Sequence, residues 1–279
     1  GARLLPSSYC YYGHPEFADT LSVFPDSNGS SSGNTLEEAF MQGFMELVER
    51  DAVAIWFYNR IRRVGIDISS FKMPYLDALQ DFYRSIGRDI WVIDITSDLP
   101  IPVFACVSRR TSHPVEDIIL GFGAHFDPRI ALLRSITEVN QFLPSLMIQQ
   151  PDGSTNYLFG DALARHWWKT ARLEDNEYLL PDSERPHLRM GDIQDLSSDD
   201  LLDDVNTCLD LCRERDMDVY FLDQTRPDIQ LSVVKIVVPQ LCHFWRRFGK
   251  ERLWQVPVEQ GWLARANTAE TCNPYTIFF

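Results

Sequence analysis

The sequence predicts a domain of the α/β or α+β class, on three observations. Apolar, β-branched runs bounded by proline or turn residues read as strands. Stretches with helical spacing of apolar residues lie between them. The two kinds alternate along the chain, the pattern of layered folds that pack helices on sheets. The composition agrees: in 279 residues, 45% are hydrophobic and 24% charged, enough to bury a substantial core and too apolar for a disordered chain.

Residues 1–33 are rich in Ser, Gly, Pro and Tyr and predict strand and loop. Residues 34–60 predict a long helix, with Asn34 or Thr35 as cap and Glu37 or Glu38 closing a capping box. Strands follow at Ile90–Thr96 and Val103–Val107, and Gly121 to Ala124 reads as a glycine-rich bend. A helix over Ile130–Phe142 stops before Pro144. Residues 150–187 read as irregular, with Trp167 and Trp168 packed inward. Ser197–Arg215 forms an amphipathic helix, and Asp218–Asp223 and Val233–Val238 are strands. No internal repeat or low-complexity segment is visible. The polar stretch near 174–200 reads as an excursion within one domain rather than a linker.

Charge and composition exclude several functions. Lys and Arg number 26 against 40 Asp and Glu, a net charge of −14. Such a surface repels nucleic acid and anionic membranes; magnesium-bearing or basic-peptide partners suit it better. No apolar run is long enough to span a bilayer, and the start, Gly1 to Pro6, is not a signal peptide. It also lacks an initiator Met, as a fragment or processed product would. The six cysteines form no CxxC pair. Cys208 and Cys212 are one helical turn apart with no nearby His, and read as thiols rather than zinc ligands. A reducing cytoplasm fits.

The most informative segment is the loop Asn28 to Gly33 and the helix after it. At about 100° per residue, Asn34, Glu38, Gln42, Glu46 and Glu49 share about one third of the helix circumference. Phe40, Phe44 and Leu47 face the opposite way, toward a core. The acidic stripe can be a solvated face, but it carries no Lys, and Glu46 and Glu49 repel each other unless a cation intervenes. Hard carboxylate oxygens suit magnesium, which commonly brings nucleotide phosphates with it. The preceding Ser/Gly loop can receive an anion at the helix N-terminus. It lacks the GxxxxGK[ST] pattern and a nearby Lys, so it is not a P-loop.

A second set, Arg134, Glu138 and Gln141, shares one helix face: an i,i+4 salt bridge, or an arginine holding phosphate beside a carboxylate. The cluster Asp223-Gln224-Thr225-Arg226-Pro227-Asp228 follows a strand, either as a site at a strand end or as a capped turn.

The string SNGSSSGNTLEEAFMQGFMELVERDAVAIWFYNR resembles the core signature of YcaO-domain proteins. LDQTRPD, KIVVPQLCHFWRRFG, ERLWQVPVEQGWL and the terminal CNPYTIFF are similar to the azoline-forming cyclodehydratase subgroup. The likeness covers residues 27–279. It implies a YcaO-type ATP-binding fold with mixed sheets and packed helices, using ATP and Mg2+. It implies an enzyme that closes a Cys, Ser or Thr side chain of a ribosomally made peptide onto the preceding amide carbonyl. ATP phosphorylates the amide oxygen, and phosphate leaves to give thiazoline or oxazoline. By the same resemblance Glu46 and Glu49 hold magnesium, Asn34 and Glu38 contact the nucleotide or its metal, and Arg50 and Arg134 hold phosphate. Glu138 and Gln141 stand beside Arg134, and Ser31 adds a phosphate contact. Asn273, Pro274 and Phe279 of the tail reach toward the reacting peptide. The implied partners are the precursor peptide, a ThiF-type leader-binding protein and a second copy of the chain. Thioamide or amidine formation, or a non-catalytic accessory role, are the alternatives.

Two departures bear on this. The family's Ser-x-x-x-Glu-x-x-Glu helix does not occur before Ser27, so the chain is expected to be the C-terminal two-thirds of the domain. The tail carries Thr276 where relatives have a second proline. Its apolar end, Tyr275 to Phe279, is expected to tuck into the protein rather than stand free in water.

Overall fold

The computed structural model describes residues 4–11, 26–157 and 162–277. In chain order the elements are α1 (Ser7–Cys10), β1 (Ser30–Gly33), α2 (Leu36–Asn59), α3 (Pro74–Ser85), β2 (Arg88–Asp94), β3 (Val103–Arg110), β4 (Ile119–Ala124), α4 (Pro128–Phe142), α5 (Ala162–Thr170), α6 (Leu201–Arg213), β5 (Tyr220–Asp223), β6 (Ser232–Val237) and α7 (Arg252–Glu259). They form two compact units, Gly1–Leu47 with Ser198–Gln240, and Val48–Ser197 with Leu241–Phe279. The crossing at Ser197 falls in the polar stretch that the sequence marks. The α+β reading holds. The named strands pair antiparallel throughout, and the parallel pairing among the described residues is an isolated bridge from Ile66 to Leu188.

In the first unit the strand order is β1-β6-β5. Val234 and Ile236 of β6 are fully buried, and Ile236 lies against α2 at Gly43. Phe40 and Phe44 stack with ring centroids 5.9 Å apart. Asp200 caps α6 by accepting from the Leu202 amide at 2.9 Å. Cys208 and Cys212 face the core as free thiols, with Cys208 Sγ 3.7 Å from Met41 Sδ.

In the second unit β2, β3 and β4 form a meander, and α4 lies across β4. Gly121 to Ala124 is therefore strand, not bend. Its glycines serve close approach: a Cβ on Gly123 would stand 2.3 Å from Ala131 O, and one on Gly121 2.5 Å from Ser135 O. Asp127 caps α4 by accepting from the Arg129 amide at 2.7 Å. The second half of α2 is buried on all sides, Ala52 to Tyr58 being 2% exposed or less. Trp56 meets Tyr178 at 5.3 Å, and Phe57 meets Trp167 at 5.9 Å. The expectation of irregular chain over 150–187 fails at α5, whose Trp167 and Trp168 do pack inward. It is short and followed by 3-10 turns, which hides its period. The sequence reading assigned no element to α3 or α7.

Asn273 is fully buried. Its amide donates to Tyr58 O at 2.9 Å, and its Nδ2 to Phe57 O at 3.1 Å and Tyr178 Oη at 2.8 Å. These bonds tie the tail to carbonyls in the last turn of α2, where Phe57 O also accepts from the Arg60 amide at 3.3 Å. Tyr275 then sits edge-on to Trp167 at 4.9 Å, and Ile277 is 2% exposed. The tail is tucked in as far as Ile277; Phe279 lies outside the described residues.

Two stability outcomes follow. Gly123→Val should lower unfolding free energy by about 1–3 kcal/mol through overpacking against α4, measured by urea titration. Gly249→Ala, where a Cβ meets nothing within 4 Å, should leave it unchanged. Asn273→Ala should cost about 1–3 kcal/mol for two lost buried hydrogen bonds, read as a lower melting temperature. An unchanged melting temperature would refute the anchoring role.

Candidate functional site

The first unit gathers part of the expected set around the start of α2. The Glu38 amide donates to Thr35 Oγ1 at 3.2 Å. The Glu38 carboxylate reaches back and accepts from the Asn34 amide at 2.7 Å and Asn34 Nδ2 at 2.9 Å. This is a capping exchange one residue wider than the usual box, and it sets a negative charge where the helix dipole favours it. Ser31 Oγ donates to Ala39 O at 2.6 Å. A Cβ on Gly43 would stand 2.6 Å from Ser31 Oγ, so this glycine lets β1 lie directly on α2. One turn further along, Glu46 Oε2 accepts from the Gly29 amide at 2.9 Å.

Beneath that turn lies a group the sequence reading passed over. Lys235 of β6 is 1% exposed. Its Nζ donates to Asp26 O at 2.7 Å and Asn28 O at 2.9 Å and stands 3.6 Å from Asp26 Oδ1. Burial pulls its pKa down, opposed by the charges of Asp26 and Glu46. The available signal was a lysine inside an otherwise apolar strand.

The second unit holds the other part. Glu49 is 8% exposed, and Arg50 Nη1 stands 3.0 Å from its carboxylate. The Arg50 guanidinium lies over the Phe244 ring at 4.5 Å, a cation–π contact that fixes its plane. Arg134 of α4 donates to Ala124 O at 3.4 Å. Burial lowers its pKa, and the charge of Glu49 opposes that shift. Glu49 is thus a carboxylate among guanidiniums. Glu138 accepts from the Phe122 amide, which ties its carboxylate to β4, and Gln141 is exposed. The sequence pattern also missed Asp51, which is fully buried and bound by Arg252 at 2.6 Å and by the Cys242 amide at 2.7 Å.

Elsewhere the candidates resolve differently. Arg226 pairs with Asp228 at 2.6 and 3.0 Å, Asp223 accepts from the Thr225 amide at 2.9 Å, and Gln224 Nε2 donates to Cys10 O at 3.0 Å, so the charged members of that cluster form a surface turn. Asn273 is the buried anchor described above. Pro274 is exposed, and its carbonyl accepts from Arg246 at 3.3 Å.

The donor chemistry fits magnesium in kind, since carboxylate oxygens are its usual protein ligands. It does not close a site: among the described residues no three His, Cys, Asp or Glu side chains group closely enough to hold a metal ion. Among the same residues no helix is long and apolar enough to cross a membrane.

Comparison with known proteins gives the context. A solved heterocyclase in complex with substrate and cofactor is 47% identical, with a TM-score of 0.90 over 99% of this chain and 36% of that one. The heterocyclase TruD is 44% identical, with a TM-score of 0.87 over 99% of this chain and 37% of that one. A protein of Methanothermobacter thermautotrophicus is 29% identical over 234 residues, covering 82% of this chain. The chain spans 59% of that relative's length. The family model described as YcaO cyclodehydratase, ATP- and Mg2+-binding, matches residues 1–242, and the chain belongs to the YcaO family.

Proposed function

We propose that this chain is the YcaO portion of an ATP-dependent peptide cyclodehydratase. It converts Cys, Ser or Thr of a ribosomally made precursor to thiazoline or oxazoline, with ATP consumed to activate the backbone amide oxygen. The observation that carries the reading is the pairing of a Lys-free acidic stripe on α2 with the arginines around Glu49. Identity of 47% to a heterocyclase over 99% of the chain supports it.

In this reading Glu46 and Glu49, three residues apart on one helix, are the residues that would hold magnesium. Asn34 and Glu38 orient the nucleotide or its metal. Arg50 and Arg134 hold phosphate; their guanidiniums are fixed by Phe244 and Ala124 O respectively and keep their shape as phosphate charge develops. Glu138 and Gln141 stand beside Arg134, and Ser31, whose Oγ rests on Ala39 O, adds a phosphate contact. Bound magnesium would supply charge neutralisation at the phosphates. Asn273 and Pro274, with Phe279, set the course of the tail toward the peptide. Partners are a ThiF-type leader-binding protein and a second copy of the chain. A reducing, cytoplasmic setting is supported by six free cysteines, five of them buried.

The test is mass spectrometry of a precursor peptide incubated with the enzyme, its partner, ATP and magnesium. Each ring should remove the mass of one water. Glu46→Gln and Glu49→Gln should abolish ring formation and peptide-dependent ATP hydrolysis with the fold retained. If the two carboxylates serve only the helix's own packing, each change lowers the melting temperature but leaves the turnover of the folded enzyme intact, which would refute the assignment.

Arg134→Ala should raise the KM for ATP by about tenfold to a hundredfold, the loss of one charge-assisted hydrogen bond. Initial rates against ATP concentration check this, and an unchanged KM removes Arg134 from the phosphate site.

A further inference from the structure

In the second unit β2 is an edge strand of its sheet. Backbone groups along an antiparallel strand point alternately to its two sides. Just past the end of β2 the Ile95 amide donates to Val103 O at 2.9 Å, so the odd-numbered residues face β3 and the even-numbered ones face outward. Part of that outer side is covered. The Ile66 amide donates to Val92 O and the Asp94 amide to Val64 O, both at 2.9 Å, so residues 64–66 already lie there antiparallel to β2. The chain then turns away, and its Asp67 amide donates to Leu188 O at 2.8 Å. The amide and carbonyl of Ile90, the next outward pair, have no hydrogen-bond partner among the described residues.

A cavity of about 490 Å³ follows this bare stretch, lined by Gln80 and Arg84 of α3, by Ile90 and Trp91, and by Leu173 and Leu180. Its two walls belong to opposite faces of the sheet. Register partners share a face, so Val92, Cys106 and Gly121 lie on one face, and α4 covers it at Gly121. Tyr83 of α3 donates to Asn140 of α4 at 2.7 Å, so α3 lies on that same face, which is also the face of Ile90. Trp91 Nε1 donates to Leu179 O at 2.7 Å, which puts the segment 173–180 on the other. A cavity that touches both walls lies off the edge of β2, where a further strand would run. Its charges are compensated. Arg84 pairs with Asp81, and Arg109 stands 3.2 Å from Asp89 and 3.7 Å from Glu116.

We infer that the bare edge of β2 at Ile90 takes an extended, uncharged segment of the precursor peptide as an added antiparallel strand. That the strand belongs to the precursor rests on the proposed function; the edge pairing does not. Residues 64–66 show that this edge accepts a strand of that direction. A donor and an acceptor on one residue of a sheet edge match peptide backbone. The residue opposite Ile90 exchanges both hydrogen bonds with it and turns its side chain toward Gln80 and Arg84. Its two neighbours turn theirs to the other face, toward Trp91, Leu173 and Leu180, where aliphatic groups fit.

The test is fluorescence anisotropy with a fluorescein-labelled Gly-Ser-Val-Thr-Val-Ser-Gly peptide, compared with the same peptide N-methylated at its threonine. Methylation removes the amide that would donate to Ile90 O, so the unmodified peptide should bind about tenfold more tightly. Ile90→Pro removes the outward N–H and leaves the ladder to β3 intact, a change that edge strands tolerate. It should weaken binding by about tenfold, and Ile90→Val should leave it unchanged. Hydrogen exchange followed by NMR on the unsubstituted chain gives a second reading. Saturating peptide should slow exchange of the Ile90 amide by at least about tenfold. Equal binding of the methylated peptide, or an Ile90 amide indifferent to the peptide, would overturn the inference. A dimer in sedimentation that Ile90→Pro dissolves, with no peptide binding, would also overturn it and give the edge to a second copy of the chain. Failure of ring formation with edge binding intact would count against the proposed function alone.

Discussion

A fully buried carboxylate governs the rotational setting of the second half of α2. Asp51 lies in the middle of α2 and is held by Arg252, which also donates to Asp98 at 2.7 and 3.0 Å. Burial works against the Arg252 charge, but Asp51 and Asp98 outweigh it and push its pKa up. Breaking such a pair from one side costs about 3–5 kcal/mol, because a buried charge is left uncompensated. The pair therefore permits one rotation of the second half of α2 within the second unit. Arg50 is the next residue back, and Glu49 the one before, so the same rotation sets which way their side chains leave the helix.

The acidic stripe is held by local partners of limited strength. Glu38 is taken up by Asn34, Glu46 by the Gly29 amide and Glu49 by Arg50. A carboxylate oxygen can accept more than one hydrogen bond or metal contact. These bonds orient the carboxylates and lower the cost of crowding like charges along one helix face. Lys235 performs the same task one layer down, where it gathers the carbonyls of Asp26 and Asn28 and adds positive charge near Glu46.

The long helix and its caps were legible because they depend on neighbours in sequence. Asn34, Thr35 and Glu38 show this. The strands were legible at β2, β3, β5 and β6, where β-branched runs meet turn residues. β4 was not, because its glycines answer to a helix ten residues away, and a glycine run looks like a bend until Ala131 and Ser135 are seen against it. α5 was too short to show a period. The roles of Asp51, Lys235 and Asn273 were invisible for one reason: each is defined by partners far away in the chain, Arg252, Asp26 and Phe57 with Tyr178. The stripe on α2 was readable as a pattern, while the partners that orient Glu46 and Glu49, the Gly29 amide and Arg50, show only in the fold.

Electrostatics sets the remaining constraint on any nucleotide chemistry here. A chain of net charge −14 repels a triphosphate at long range, so binding must be won locally. Arg50 and Arg134 are the cations beside Glu49, and both are partly desolvated, which strengthens their hydrogen bonds to an anion. Glu49 beside them limits that gain, since it neutralises the same guanidiniums it is positioned by. A divalent cation on the acidic stripe would reverse the balance. It would draw on Glu49, leave Arg50 and Arg134 for phosphate, and turn a repulsive face into one that binds an anion only when the metal arrives with it. In the proposed reading the acidic character of α2 makes nucleotide binding conditional on magnesium.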